Sequence, residues 1–182
     1  MLDTLITNKT RIKLLLRFFL NGESSAYLRG LEEEFDESTN AIRVELNRFE
    51  EAGLLTSGME RNKKVFRPNK LHPLYSDINL ILRKHIGLDR IVEQVVDKLG
   101  NVTRAYVVGD LAMGLDTKKI ELILVANTID LVYLDKCVTK AESLIKRKIS
   151  CTVLKEAEEK KYLPGHPGIL LIWGKSVTFY YD

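Results

Sequence analysis

The sequence predicts an α+β chain of two parts, and three observations carry that expectation. Helical periodicity with short joints fills the first third, a basic hairpin follows it, and after Gly100 short apolar runs alternate with helical ones. We expect a helical domain with a hairpin over residues 1–86 and a small α/β domain over residues 87–182. At 182 residues, with 45% apolar and 29% charged side chains, the chain has the composition of a folded protein and enough length for two cores.

The first helix is expected from Thr10 to Leu20, apolar at Ile12, Leu15, Leu16, Phe19 and Leu20, and closed by Asn21-Gly22. Ser24 or Ser25 should cap a second helix to about Phe35, with Tyr27, Leu28, Leu31 and Phe35 inward. The third carries the first candidate site. Ser38 is a good N-cap, no Gly or Pro interrupts residues 39–52, and Gly53 stands where a left-handed residue would stop the helix. Ile42, Leu46 and Phe49 form its apolar stripe, which leaves Asn40, Arg43, Val44 and Asn47 on the opposite side.

That polar side has the chemistry to read a major groove: Arg suits guanine edges, Asn suits adenine, and Val can touch a thymine methyl. Two extended runs follow, around a loop expected at residues 58–62. From Arg61 to Lys70 there are five basic residues and no acidic one, which suits phosphate contact. Helix, Gly stop and basic hairpin together resemble a winged helix-turn-helix domain of the ArsR and MarR regulator kind, over residues 5–86. The resemblance implies double-stranded DNA as partner, bound by Ser38, Thr39, Asn40, Arg43, Val44 and Asn47 of the helix and by Arg61, Asn62, Lys63 and Lys64 of the hairpin. It also implies a homodimer, formed by flanking helices such as residues 2–6 and 74–86.

Pro68 and Pro73 bracket a link, and a helix is expected over residues 74–86 with Leu74, Ile78, Ile81, Leu82 and His85 on one side. Gly87 breaks it, and Asp89 should cap a further helix to Leu99. Residues 105–108 and 120–126 then read as buried strands, 130–147 as a helix, 149–154 as a strand and 156–163 as a short charged helix. ILLIW and VTFYY are expected as two last strands around a Gly174-Lys175 turn.

The order strand, Gly109-Asp110, Ala112-Met113-Gly114, then a strand carrying Glu121, resembles the opening of a minimal nucleotidyltransferase domain. In that family a Gly-Ser turn holds triphosphate, and two aspartates separated by one residue bind divalent metals. Here Asp110 takes the serine position, Lys119 the first aspartate and Glu121 the second, while Ser150, Cys151 and Thr152 stand where a third carboxylate would be. The resemblance with these departures implies the nucleotidyltransferase-like fold with a degenerate site at Gly109, Asp110, Lys119 and Glu121, no catalytic or metal-binding residue, no cofactor and no enzymatic activity. The domain would sense a small molecule or nucleotide, dimerise or support.

The expected function is therefore sequence-specific transcriptional regulation. Its rival is a nucleotidyltransferase guided by the helical module, and a third reading has that module binding protein. Glu32 to Glu37 is acidic and Arg61 to Lys70 basic, an asymmetry that suits an oriented binding face, while the net charge of +3 alone decides little. No basic–apolar–small leader pattern opens the chain and no run is long enough to span a membrane, so a cytoplasmic location is expected. Two cysteines without metal-ligand spacing exclude a disulfide framework. His85 on an apolar stripe reads as a core or interface histidine rather than a ligand.

Overall fold

The computed structural model of the chain describes residues 2–174. The VTFYY strand and the Lys175 side of its turn lie outside the described residues. The chain divides into two compact units, Met1–His85 and Ile86–Asp182, taken here in turn.

The first unit opens with α1 (Leu2–Leu5) and α2 (Lys9–Phe19), the latter capped by the Asn8 side chain, which accepts from the Arg11 N–H. Ile12, Leu14, Leu16, Phe18, Phe19 and Leu20 are all buried, so α2 is the central rod of this unit. A two-residue strand, β1 (Ala26–Tyr27), then replaces the expected start of the second helix, and α3 runs only from Leu28 to Phe35. The reason is pairing. Ala26 and Tyr27 lie opposite Phe66 and Val65, and the buried Ser24 takes a bond from Arg17 instead of capping a helix. Tyr27 is accordingly exposed, not inward.

Asp36, left-handed, turns the chain into α4 (Thr39–Glu51), where the Ser38 hydroxyl accepts from the Ala41 N–H and Gly53 at φ 72° ends the helix. β2 (Leu55–Glu60) and β3 (Lys63–Pro68) form a hairpin tighter than expected. Gly58 is a strand residue opposite Val65. The turn is Arg61-Asn62, both left-handed, the two-residue geometry that matches strand twist. The sheet order is β1-β3-β2. α5 (Tyr75–Ile86) buries Leu82 and Ile86 but leaves Leu74, Leu80 and Ile81 exposed, so only part of the expected inward stripe is inward.

A buried carboxylate ties α2 to α4. Glu45 is 2% exposed and accepts from Arg11 (2.7 and 3.3 Å), Arg48 (2.6 Å) and Asn8 (3.1 Å). Burial pushes its pKa up, but the bonds and charges of Arg11 and Arg48 outweigh that, so the carboxyl sits below its ordinary value.

In the second unit Gly87, at φ 91°, opens α6 (Leu88–Ile91), which passes through a π segment (Val92–Val96) into α7 (Asp97–Leu99). Gly87 also admits Ile145, whose Cγ2 would lie 2.6 Å from any Cβ placed there. The sheet follows: β4 (Arg104–Val108), β5 (Lys119–Val125), β6 (Lys148–Leu154) and β7 (Ile169–Trp173), in the order β6-β5-β4-β7. β4 is antiparallel to β5 and β7, while β5 and β6 are parallel, joined by α8 (Leu131–Ile145) as crossover.

Tyr106, Val108, Ile123, Val125, Leu154 and Leu163 make one core cluster. By strand alternation the five strand residues of this cluster share one face of the sheet, and Ala105, Val107, Ile120, Leu122 and Leu124 are buried on the other. Against the first face α9 (Glu156–Tyr162) contributes a second buried carboxylate. Glu159 accepts two bonds from Arg104 (2.7 Å each) and one from the Tyr106 hydroxyl (2.6 Å). Cys137 is buried, and burial pushes the Cys151 thiol up to about 12, so it stays protonated at neutral pH. Among the described residues no helix is long and apolar enough to cross a membrane.

Candidate functional site

Two candidate sites lie in different units. In the first unit a groove of about 620 Å³ is lined by Arg43, Leu46 and Asn47 of α4, by Arg61, Asn62, Lys63, Lys64 and Phe66 of the hairpin, and by Tyr27, Leu28 and Arg29. The sequence-predicted residues of helix and hairpin are thus brought together. Asn40, Val44 and Asn47 are exposed with Arg43 on α4, whereas Ser38 is occupied as the cap and Thr39 is half-buried beside it.

Charge is distributed less evenly than the basic run suggested. Lys64 pairs with Glu50 (2.7 Å), Arg67 with Glu60, and Lys70 with Glu23 (2.6 Å). Among the described residues Arg43, Arg61 and Lys63 enter no ion pair, and Lys63 stacks 4.2 Å from the centre of the Tyr27 ring. Arg29 and Tyr27 were not found from sequence. Their place depends on the β1–β3 register, a contact between residues some 40 positions apart with no local signature.

In the second unit β4 ends at Gly109, whose φ 72° and ψ −149° belong to glycine alone, and a 3-10 turn (Asp110–Met113) follows. The Gly109 N–H donates to the Gly168 carbonyl (3.1 Å), and the Met113 N–H returns to the Gly109 carbonyl (3.2 Å). Gly168 is favoured for a steric reason instead: a Cβ there would meet Met113 Cγ at 2.7 Å and the Gly109 oxygen at 3.0 Å. Glu121 on β5 lies opposite Val108, and its carboxylate stands 3.5 Å from the position of a Cβ on Gly109.

Lys119 shares the Glu121 face, as alternation requires, with its ammonium 4.0 Å from the carboxylate. They are 61% and 47% exposed. Ser150 is beside Glu121 across the parallel β5–β6 pair and is exposed too, as is Asp110. Asp116 is drawn aside by Arg147 (2.7 Å). The four residues named from sequence therefore lie toward one exposed end of the β4–β5 pair, with Glu121 near both Gly109 and Lys119.

A pair of divalent metals does not fit this donor set. Lys119 is a cation with no lone pair to offer while protonated, and Glu121 is the lone carboxylate on its strand face. Among the described residues no cluster of three His, Cys, Asp or Glu side chains could hold a metal ion.

No protein-family model matches the chain, and no curated protein does either. Solved structures similar to it include the tri-AMPylated HEPN toxin with MNT antitoxin from Shewanella oneidensis, at 14% identity and a TM-score of 0.38 over 50% of this chain and 73% of that one. A toxin–antitoxin complex with AMP-PNP is similar at 14% identity and a TM-score of 0.40, over 48% and 73%. A "putative nucleotidyltransferase" from Sulfolobus solfataricus is similar at 23% identity and a TM-score of 0.36, over 53% and 86%. The chain is mixed α+β, and these neighbours are nucleotidyltransferase-like. The expectation that the chain is not an enzyme stands against them, and we withdraw it. The physical flaw in that expectation was its scope, because a count of lost metal ligands tests two-metal chemistry alone and says nothing of what Glu121 and Lys119 do beside the Gly109 turn.

Proposed function

We propose that the chain is a nucleotidyltransferase directed to duplex DNA by a winged-helix module. The transferase half is carried by one observation, the Gly109 turn with the Glu121 carboxylate against it and the Lys119 ammonium 4.0 Å away. A cation and a base then stand side by side on an exposed strand end, the one able to meet phosphate charge and the other a hydroxyl proton. In that reaction the acceptor oxygen attacks the α-phosphorus of a nucleoside triphosphate. The bond to the β-phosphate breaks, pyrophosphate leaves with its electron pair, and Glu121 takes the hydroxyl proton.

The directing half is supported by the order α2-β1-α3-α4-β2-β3, the β1-β3-β2 sheet and the groove between α4 and the hairpin. In this reading Asn40, Arg43, Val44 and Asn47 face base edges, while Arg61, Asn62 and Lys63 reach the backbone or the neighbouring groove. Exposed Leu5, Leu74, Leu80 and Ile81 support pairing of two copies through α1 and α5, which would set two α4 helices on one DNA face. Light scattering is expected to show a dimer at micromolar concentration, and a monomer with and without DNA would refute the pairing.

The transferase reading is tested by incubating the protein with the four nucleoside triphosphates labelled at the α-phosphate, together with duplex carrying free 3′ hydroxyls. Covalent label on DNA or on the chain itself is the expected result. No label on any acceptor would overturn it.

A further inference from the structure

We infer that nucleotide binding beside the Gly109 turn is independent of divalent metal, with the Lys119 ammonium holding the phosphate charge. This deepens the transferase reading and rests on it. A polyphosphate chain carries three to four negative charges near neutral pH, so any site for it must supply a compensating cation. Lys119 is the cation that β5 places beside Glu121. Lys119 is exposed, sits 4.0 Å from Glu121, and occupies the same strand face at the same end of β5.

A divalent ion bound at Glu121 would have to share that space with the ammonium, and Coulomb repulsion between them opposes it. Nothing on the neighbouring strand β6 makes up the loss. The partner of Glu121 there is Ser150, a neutral hydroxyl, and the partner of Lys119 is a second cation, Lys148. Lys148 is engaged by Glu142 at 2.8 Å, which leaves Lys119 as the more weakly engaged of the two. Its pairing with Glu121 is long and open to water, so an incoming phosphate can displace it without stranding a buried charge.

Titration calorimetry of the full chain with ATP, once in EDTA and once in millimolar Mg²⁺, tests the inference. The two dissociation constants should agree within about threefold, and Lys119→Ala should weaken binding in EDTA by about tenfold or more. Lys119→Asp places two carboxylates two positions apart on one strand face, and its ATP binding should then require Mg²⁺. Wild-type binding at least tenfold tighter in Mg²⁺, or a Lys119→Ala protein that binds as well as wild type, would overturn the inference while leaving a nucleotide site in place. Failure to bind ATP in either buffer would overturn the inference and the transferase reading together. A folded far-UV circular dichroism spectrum for each variant separates loss of the site from loss of the fold.

Discussion

Glu121→Gln is expected to reduce label transfer by about 100-fold or more, the scale of a positioned general base. The change keeps the size of the side chain and its contact with Gly109, so the turn and the β4–β5 register should survive it. What it removes is the capacity to take a proton. ATP affinity should hold or rise, because a negative group beside the phosphates has been neutralised. Loss of transfer with affinity retained separates a proton acceptor from a binding residue. Equal transfer by wild type and variant would remove Glu121 from the chemistry.

Arg11→Met is expected to destabilise the first unit by about 3 kcal/mol, at the lower end of the cost of stripping a partner from a buried ion pair. The lower end applies because Arg11 is itself partly exposed and Arg48 and Asn8 still bond to Glu45. The pH dependence has a definite sign. With its folded pKa depressed, the Glu45 carboxyl contributes stability above its unfolded pKa, near 4.3, and that contribution fades as pH falls through the folded value. Urea midpoints from neutral pH down to about 3 should therefore fall less steeply for Arg11→Met than for wild type. Parallel curves for the two proteins would show that the pair contributes nothing to the acid limb.

Local chemistry made much of this chain legible. Ser38 and Gly53 bound α4 as a cap and a left-handed stop should, and Ile42, Leu46 and Phe49 are its buried stripe. The i, i+2 rule placed Lys119 and Glu121 on one face before any coordinates did. Elements defined by distant partners were not legible. β1 is two residues long and exists because β3 lies beside it. Glu45 reads as one more polar residue on a surface helix, yet its partner Arg11 is 34 positions away. Gly58 drew the hairpin loop toward itself, while the turn fell on Arg61-Asn62, where asparagine tolerates a positive φ. The basic run looked uniformly free because its carboxylate partners, Glu23, Glu50 and Glu60, lie outside it.

That pairing sharpens the DNA side of the account. Arg61 and Lys63 should matter more than Lys64, and Arg43 should matter for sequence more than for charge. The most direct test is selection of bound duplexes from a random pool, followed by affinity measurements on the enriched site across a salt series. The account predicts a defined enriched sequence and an affinity that falls steeply with salt. Arg43→Ala should cost about 1–3 kcal/mol and relax one base position. Paired Arg61→Ala and Lys63→Ala changes should weaken all duplexes alike and lower the salt slope by about 2. A pool that enriches no sequence, together with an Arg43→Ala protein that binds as wild type does, would contradict it.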